Sequence, residues 1–214
     1  MATDTPSSRA ALIAGSTGLV GQALLPLLLA APYSRVHALV RRPSPQTHPQ
    51  LQLHVVDFQA LPALPPVDDV FIALGTTIKV AGSQAAFRQV DFDAVVNTAR
   101  AARAAGATRL GVVSALGADA HSRVFYNRVK GEMQEAVASL GYASVVIIQP
   151  SLLLGDRHAL GQPVRAGEVW GGRLFGWLPR SVRPIPASQV AQALLRAVSS
   201  AQPGLTVLRS GALY

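Results

Sequence analysis

The chain has 214 residues, 19 of them Lys or Arg and 11 Asp or Glu, so its formal net charge is +8, and it contains no cysteine. A chain of this length is expected to form one compact domain with room for a small appended lobe. Without cysteine, the sequence excludes disulfide frameworks, zinc–thiolate sites, iron–sulfur clusters and cysteine nucleophiles. Its apolar stretches are too short to span a bilayer and its N-terminus lacks a secretory-signal pattern, so we expect a cytoplasmic protein with no membrane partner.

The positive charge is spread along the chain rather than concentrated in a patch. Lys79 and Lys130 are the only lysines, and the arginines are scattered without a long run of like charges. Aromatic residues make up 6% of the chain, too few for a base-stacking platform. We therefore expect no nucleic-acid partner.

Short runs of branched apolar residues alternate along the chain with longer segments of helical character. The predicted strands cover residues 11–14, 36–40, 53–56, 70–74, 110–113, 144–149 and 205–208. The predicted helices cover residues 19–30, 84–105, 122–140 and 188–199. Continuous apolar strands separated by helices indicate a parallel sheet covered on both faces, which is a doubly wound α/β domain of Rossmann type with about seven strands.

Three segments fall outside this alternation. Residues 1–8 are polar and predicted to be disordered, which leaves residues 9–214 as a single domain. Residues 43–66 are proline-rich and predicted to be irregular apart from one short strand. Residues 151–186 are predicted to form a substrate-binding or lid loop in a small C-terminal lobe, since long loops in compact domains are usually functional. Trp170 and Trp177 in this loop either anchor it on the core or cover a substrate.

A glycine-rich turn follows the first strand and leads directly into the first helix. In order, its residues are Gly15, Ser16, Thr17, Gly18, Leu19, Val20 and Gly21. Glycine is needed where a turn is tight, where backbone approaches a pyrophosphate and where a helix meets a strand. The helix N-terminus adds free N–H groups and the positive end of its dipole. The pattern favours dinucleotide binding by this segment over an ordinary glycine-rich turn.

The end of the second strand indicates which dinucleotide is bound. NAD-binding units carry an acidic residue there, about twenty residues beyond the glycines, for the ribose hydroxyls. This chain has Arg41 and Arg42 instead, and two guanidinium groups suit a 2′-phosphate. We therefore expect NADP(H) as the preferred cofactor, with NAD(H) or a merely solvated arginine loop as alternatives. Asp57, after the third strand, either contacts the adenine end or caps its own turn.

Three polar residues with the chemistry of a proton-transfer site follow the fifth strand. Ser114 ends that strand, while Tyr126 and Lys130 lie four residues apart on a predicted helix and so face one site. An ammonium and a cationic nicotinamide both favour the phenolate of Tyr126, which makes it usable as a general acid and base. Ser114 can hold the substrate oxygen. The alternative is an exposed tyrosine and a surface lysine, but a chain with only two lysines that places one here favours the site.

Together these motifs resemble the short-chain dehydrogenase/reductase superfamily in its extended or atypical branch, and more narrowly the Tat-interacting-protein-like oxidoreductases. Further supporting segments are residues 74–77, 90–95, 114–118 and 149–157. The resemblance implies that the glycine turn carries the pyrophosphate, that the arginine pair binds the 2′-phosphate and that Lys130 bonds the nicotinamide ribose. It also assigns to the cofactor cleft Leu74, Gly75, Pro150, Ser151 and Leu152.

The resemblance implies an NADP(H)-dependent oxidoreductase acting on a carbonyl/alcohol pair of a small molecule, as a monomer or a homodimer. Tyr126 would be the general acid/base, Lys130 its partner and Ser114 the carbonyl holder. Two departures are visible. Asp91 stands where extended members usually carry Asn, with Asn97 too far along to replace it, and the C-terminal segment is short for a full substrate domain. These departures keep open an alternative, a non-catalytic NADPH-binding regulatory or scaffold protein.

A metal site is not expected. The five histidines show no metal-ligand spacing, and two of them lie on predicted strands. We expect packing or surface positions for His37, His48, His54, His121 and His158.

Overall fold

The computed structural model describes residues 9–154 and 183–213. The strands are β1 (Ala10–Ala14), β2 (Arg35–Val40), β3 (Leu51–Val55), β4 (Asp69–Ile72), β5 (Arg109–Val113), β6 (Ser144–Gln149), β7 (Leu153–Leu154), β8 (Ile185–Pro186) and β9 (Gly204–Arg209). Seven of them form one sheet in the order β3-β2-β1-β4-β5-β6-β9, with every neighbouring pair parallel. The predicted Rossmann-type α/β fold is confirmed.

Helices cover both faces of this sheet. They are α1 (Leu19–Ala30), α2 (Ile78–Ala81), α3 (Gln84–Arg88), α4 (Ala94–Ala104), α5 (Phe125–Ala138) and α6 (Ala187–Ser199). Helices α1 and α6 pack on one face, and α4 and α5 pack on the other. Strands β4 and β6 are buried along their whole length, which explains why the parallel strands read as continuous apolar runs.

Two elements differ from the sequence prediction near the carboxyl edge of the sheet. Strand β4 ends at Ile72 rather than at residue 74, so residues 73–75 leave the sheet as a loop. The predicted helix over residues 84–105 contains a π-helical turn, Gln89–Asp93, between α3 and α4. A π-helical turn contains one residue more than an α-helical turn. The sequence pattern did not reveal it, because apolar residues mark only every third or fourth position of a helix.

A buried carboxylate at the amino ends of the strands contacts residues from several segments of the chain. Asp69 begins β4 with 0% exposure and forms ion pairs with Arg9 and Arg109. It also accepts a hydrogen bond from the Tyr33 hydroxyl, and burial followed by this contact raises the pKa of Tyr33. The cluster joins the segments before β1 and β2 to β4 and β5. It lies at the edge of the sheet opposite to the loops described next.

The topology gathers the predicted site residues at the carboxyl edge. From β1 the chain runs outward to β2 and β3, then crosses to β4 on the other side of β1. A crevice forms where the strand order reverses in this way. The segments that leave the carboxyl ends of β1, β2, β4, β5 and β6 carry Gly15, Arg41, Leu74, Ser114 and Pro150.

At two glycines, the turn between β1 and α1 is packed so closely that there is no room for a side chain. Gly15 has a φ of +91°, and a Cβ atom there would lie 2.6 Å from the carbonyl oxygen of Ala73. At Gly21 a Cβ atom would lie 2.0 Å from the carbonyl oxygen of Gly15. The obstructing atoms are backbone, so no side-chain rotation could relieve either clash.

Strands β7 and β8 pair with each other and flank the segment that is not described. The expectations for residues 1–8, for most of the 151–186 loop and for Trp170 and Trp177 therefore lie outside the described residues. The same holds for His158.

We predict that Gly21→Ala destabilises the fold by at least about 1–3 kcal/mol, because overpacking against immobile backbone costs this much or more. Urea unfolding followed by circular dichroism measures the change. Gly18→Ala is the matched control, since its Cβ would lie at an ordinary 3.4 Å from the nearest backbone oxygen. Equal unfolding midpoints for the two variants would contradict the close approach.

Candidate active site and cofactor cleft

Two adjoining cavities lie at the carboxyl edge of the sheet. The first, here the Tyr126 cavity, has a volume of about 460 Å³. The second, here the Asp57 cavity, has a volume of about 470 Å³. Their common wall consists of Gly18, Arg41, Ala73, Leu74, Gly75, Gln89 and Val90. The two cavities thus form one cleft across the point where the strand order reverses.

The glycine turn forms the floor of this cleft. Leu19 and Val20 line the Tyr126 cavity, Gly15 and Thr17 line the Asp57 cavity, and Gly18 lines both. Helix α1 begins after Gly18 with no side-chain cap and no acidic residue in its first turn.

Ser16 and Gly21, which the sequence assigned to the same loop, line neither cavity. Ser16 is fully buried, and Gly21 is buried against the Gly15 backbone. Both residues pack within the turn, and their assignment to cofactor binding stays a prediction.

The two arginines after β2 occupy different positions relative to the cleft. Both side chains are exposed, but Arg41 lines both cavities and Arg42 lines neither. Asp57 lines the second cavity and accepts a hydrogen bond from the Gln59 backbone N–H at 2.9 Å. Asp57 therefore caps its own turn, and its contact with the adenine end stays a prediction.

The predicted Ser–Tyr–Lys set meets in the Tyr126 cavity. Tyr126 and Lys130 project from one face of α5, and Ser114 comes directly after β5. The Tyr126 ring packs against Phe87 of α3 with 5.3 Å between ring centroids, which holds the phenol at the cavity wall. Lys130 and Ser114 are only 4% and 6% exposed.

Asp91 lies beside Lys130, in the π-helical turn. Its carboxylate is fully buried, and its Oδ1 is 2.7 Å from the Lys130 ammonium nitrogen. Its Oδ2 accepts a hydrogen bond from the Thr76 backbone N–H at 2.9 Å. Asn97 points elsewhere and donates a hydrogen bond to the Phe58 carbonyl. Asp91, which departs from the asparagine that the sequence resemblance leads one to expect, is thus the ion-pair partner of Lys130.

Sequence reasoning missed two glutamines behind Ser114. Gln134 donates a hydrogen bond to the Ser114 hydroxyl oxygen at 2.5 Å, and Gln149 donates one to the Gln134 side-chain oxygen at 3.1 Å. Gln134 follows Lys130 by four residues, as Lys130 follows Tyr126, so helical spacing could have identified it. Gln149 ends β6 and had no comparable signal.

The segment after β6 closes one side of the Tyr126 cavity. Pro150 and Ser151 line it as expected, but Leu153 lines it in place of Leu152. The Leu152 carbonyl instead accepts the backbone N–H of Ile185, where β8 begins. Ser151 is held by hydrogen bonds from its hydroxyl to the Arg183 carbonyl and from Ser210.

Two histidines meet outside the cleft. His37 Nδ1 and His54 Nε2 lie 3.0 Å apart on adjacent strands. Burial is the main reason that the pKa of His37 is lowered to about 4, and it lowers the pKa of His54 as well. Across residues 9–154 and 183–213, no three His, Asp or Glu side chains are grouped closely enough to hold a metal ion.

Comparison with known proteins identifies the family. The model of a family described as NAD(P)H-binding matches residues 15–201. Protein fmp52, mitochondrial, of Emericella nidulans is 35% identical over 188 residues, which cover 78% of this chain and 80% of that protein. Protein HTATIP2 of Rattus norvegicus is 32% identical over 208 residues, which cover 92% of this chain and 84% of that protein.

Solved structures share the fold. An oxidoreductase of the short-chain dehydrogenase/reductase family from Burkholderia thailandensis matches with a TM-score of 0.71 at 20% identity, covering 97% of this chain and 93% of that one. MoeE5, solved in complex with UDP-glucose and NAD, matches with a TM-score of 0.70 at 18% identity, covering 93% and 75%.

The prediction of a cytoplasmic location is wrong on these comparisons, because several relatives are named as mitochondrial proteins. In the part of the chain that the structure describes, no helix is long and apolar enough to cross a membrane.

The family match, the relatives and the shared fold agree with the cleft at the carboxyl edge of the sheet. The chain belongs to the NAD(P)H-binding family and is similar to protein HTATIP2.

Proposed function

We propose that this protein is an NADP(H)-dependent oxidoreductase that interconverts a carbonyl and an alcohol on a small molecule, acting as a monomer or a homodimer. The observation that carries the proposal is that Ser114, Tyr126 and Lys130 line one cavity. That cavity shares a wall with the cavity beside the glycine turn. A proton donor, an oxygen ligand and an ammonium group are thus adjacent to the cofactor cleft.

The residues of the cleft fit a dinucleotide phosphate. The N-terminus of α1 has no side-chain cap, so its N–H groups and positive dipole end are available to a pyrophosphate. Arg41, at the wall common to both cavities, would bind the 2′-phosphate through charge-assisted hydrogen bonds. When bound, the nicotinamide supplies or accepts the hydride of the reaction.

Three side chains divide the remaining chemistry. In the reducing direction the Tyr126 hydroxyl donates its proton to the substrate oxygen, and in the oxidising direction the phenolate takes it back. Ser114 donates a hydrogen bond to the same oxygen, because its own oxygen already accepts one from Gln134. The Lys130 ammonium stabilises the phenolate.

We predict that Tyr126→Phe lowers turnover of any carbonyl substrate by at least about 100-fold, because general acid–base catalysis contributes this much. NADPH consumption across a panel of ketones and aldehydes measures turnover, and calorimetry measures NADPH affinity. The affinity should stay close to that of the wild type, since the phenol contributes a proton rather than a cofactor contact.

Tyr142→Phe is the control for this experiment. The Tyr142 hydroxyl is buried and bonds the Ala99 carbonyl, and Tyr142 lines neither cavity. Undiminished turnover in Tyr126→Phe would overturn the assigned role. NADPH binding without turnover of any substrate in the panel by the wild type would instead favour the non-catalytic NADPH-binding regulator or scaffold.

We predict that the protein binds NADPH more tightly than NADH, and that Arg41→Ala removes most of this difference. A hydrogen bond to a charged group contributes about 1.5–3 kcal/mol, so NADPH affinity should fall about 10- to 100-fold while NADH affinity changes little. Paired calorimetric titrations of the two cofactors measure both values.

Arg42→Ala is the matched control for Arg41→Ala, because it removes the same charge from an exposed side chain that lines neither cavity. Its effect on NADPH affinity should be smaller. Equal losses in the two variants would assign the 2′-phosphate to the pair, and no preference for NADPH in the wild type would refute the cofactor assignment.

A further inference from the structure

Asp91 and Lys130 form an ion pair in the cleft, and both side chains are buried. Among the described residues, no other ion pair in the cleft has two buried partners. The two side chains are 0% and 4% exposed, and their charged atoms are 2.7 Å apart. Three segments distant in sequence meet there: the loop after β4, the π-helical turn and α5. The contact depends on the tertiary fold of the cleft rather than on local sequence.

Two structural features bring the Asp91 carboxylate to this position. The π-helical turn, in which Asp91 is the central residue, adds a residue to the helix, and such turns are frequent at functional sites. Gly75 leaves the opposite wall open, since a Cβ there would lie 3.3 Å from Asp91 Oδ1 and 3.7 Å from the Lys130 nitrogen. The backbone N–H of Thr76 then binds the second carboxylate oxygen, so the carboxylate is fixed at both oxygens.

The energetics favour a role in holding the lysine. Moving an isolated ammonium or carboxylate out of water is costly, and only a close, well-bonded partner offsets that cost. A lysine side chain also has a flexible stem of four carbons, so an ammonium without a fixed partner could move out of the cavity. The Asp91 contact removes that freedom and holds the ammonium at the cavity wall.

We propose that Asp91 is a positioning residue that holds Lys130 as an ammonium at the point where the nicotinamide half of the cofactor is bound. In this chain it takes the place of the asparagine found in extended superfamily members. The inference rests on the proposed cofactor assignment for its ligand, but the ion pair itself can be tested without any cofactor.

The charged and titratable groups near Lys130 come from several elements. Asp91 contacts its nitrogen, Tyr126 lies one turn earlier on α5, and Arg41 lines the same cavity. Arg88 and Arg128 instead pair with Glu132 on the more exposed side of α5. Removal of the Asp91 charge should therefore act chiefly on Lys130.

A double-mutant cycle tests whether Asp91 acts through Lys130. Asp91→Asn keeps an oxygen for the Thr76 N–H but removes the charge, and we expect it to weaken NADPH binding about tenfold or more. In a Lys130→Met background the same substitution should have no further effect, because the group that it positions is gone. Adenosine 2′,5′-bisphosphate, which lacks the nicotinamide half, should bind all four proteins equally. Asp93→Asn, in the same π-helical turn but lining neither cavity, is the matched control.

Lysine NMR provides the test that needs no cofactor. The chain has only two lysines, so isotope-labelled lysine yields two side-chain signals, with exposed Lys79 as an internal reference. An opposite charge in contact favours the charged form of a titrating group. Asp91→Asn should therefore lower the titration midpoint of Lys130 and leave that of Lys79 unchanged.

Each outcome decides between the alternatives. If the titration midpoint of Lys130 is the same in Asp91→Asn as in the wild type, Asp91 does not stabilise the ammonium, even if NADPH binds. Tighter NADPH binding in Asp91→Asn, or equal losses for NADPH and the bisphosphate, would overturn the positioning role. Asp91→Asn could lower the Lys130 midpoint while the wild type binds no NADPH. That result would refute the proposed function and the nicotinamide part of this inference, but it would establish the ion pair.

Discussion

The cleft depends on one close approach, between the β1–α1 turn and the loop after β4. Gly15 lies so near the Ala73 carbonyl that even a methyl group would clash with backbone. This contact places the uncapped N-terminus of α1 beside Leu74 and Gly75, which belong to the wall common to both cavities. The same parallel sheet directs the segments after β2, β5 and β6 to this edge, so polar groups from distant parts of the chain converge there.

Two buried carboxylates show how position gives one chemical group different uses. Asp69 lies at the amino edge of the sheet and binds two arginines and a tyrosine, away from both cavities. Asp91 lies at the carboxyl edge and binds a single lysine at a cavity wall. Each has close cationic partners, which offset the cost of moving a carboxylate out of water. The first joins strands, whereas the second faces the space proposed for cofactor and substrate.

The local features of the site could be predicted from the sequence. The four-residue spacing of Tyr126 and Lys130 places them on one helix face whatever the helix packs against. The glycine turn is recognisable because its backbone requirements admit no other residue at Gly15 and Gly21. The alternation of strands and helices likewise determined the doubly wound class, since only a sheet covered on both faces accounts for continuous apolar strands.

Only the tertiary structure decided which of these residues contact one another. Asp91 reaches Lys130 because a π-helical turn changes the phase of its helix and a glycine leaves the facing loop open. Gln134 reaches Ser114 because α5 packs beside the end of β5. The sequence by itself determined the fold class, the glycine turn and the helix face that carries Tyr126 and Lys130, because backbone sterics and helical spacing act over a few residues. The long-range contacts of the site depend on the order of the strands in the sheet and on the position of the π-helical turn. Neither feature produces a periodic pattern in the sequence.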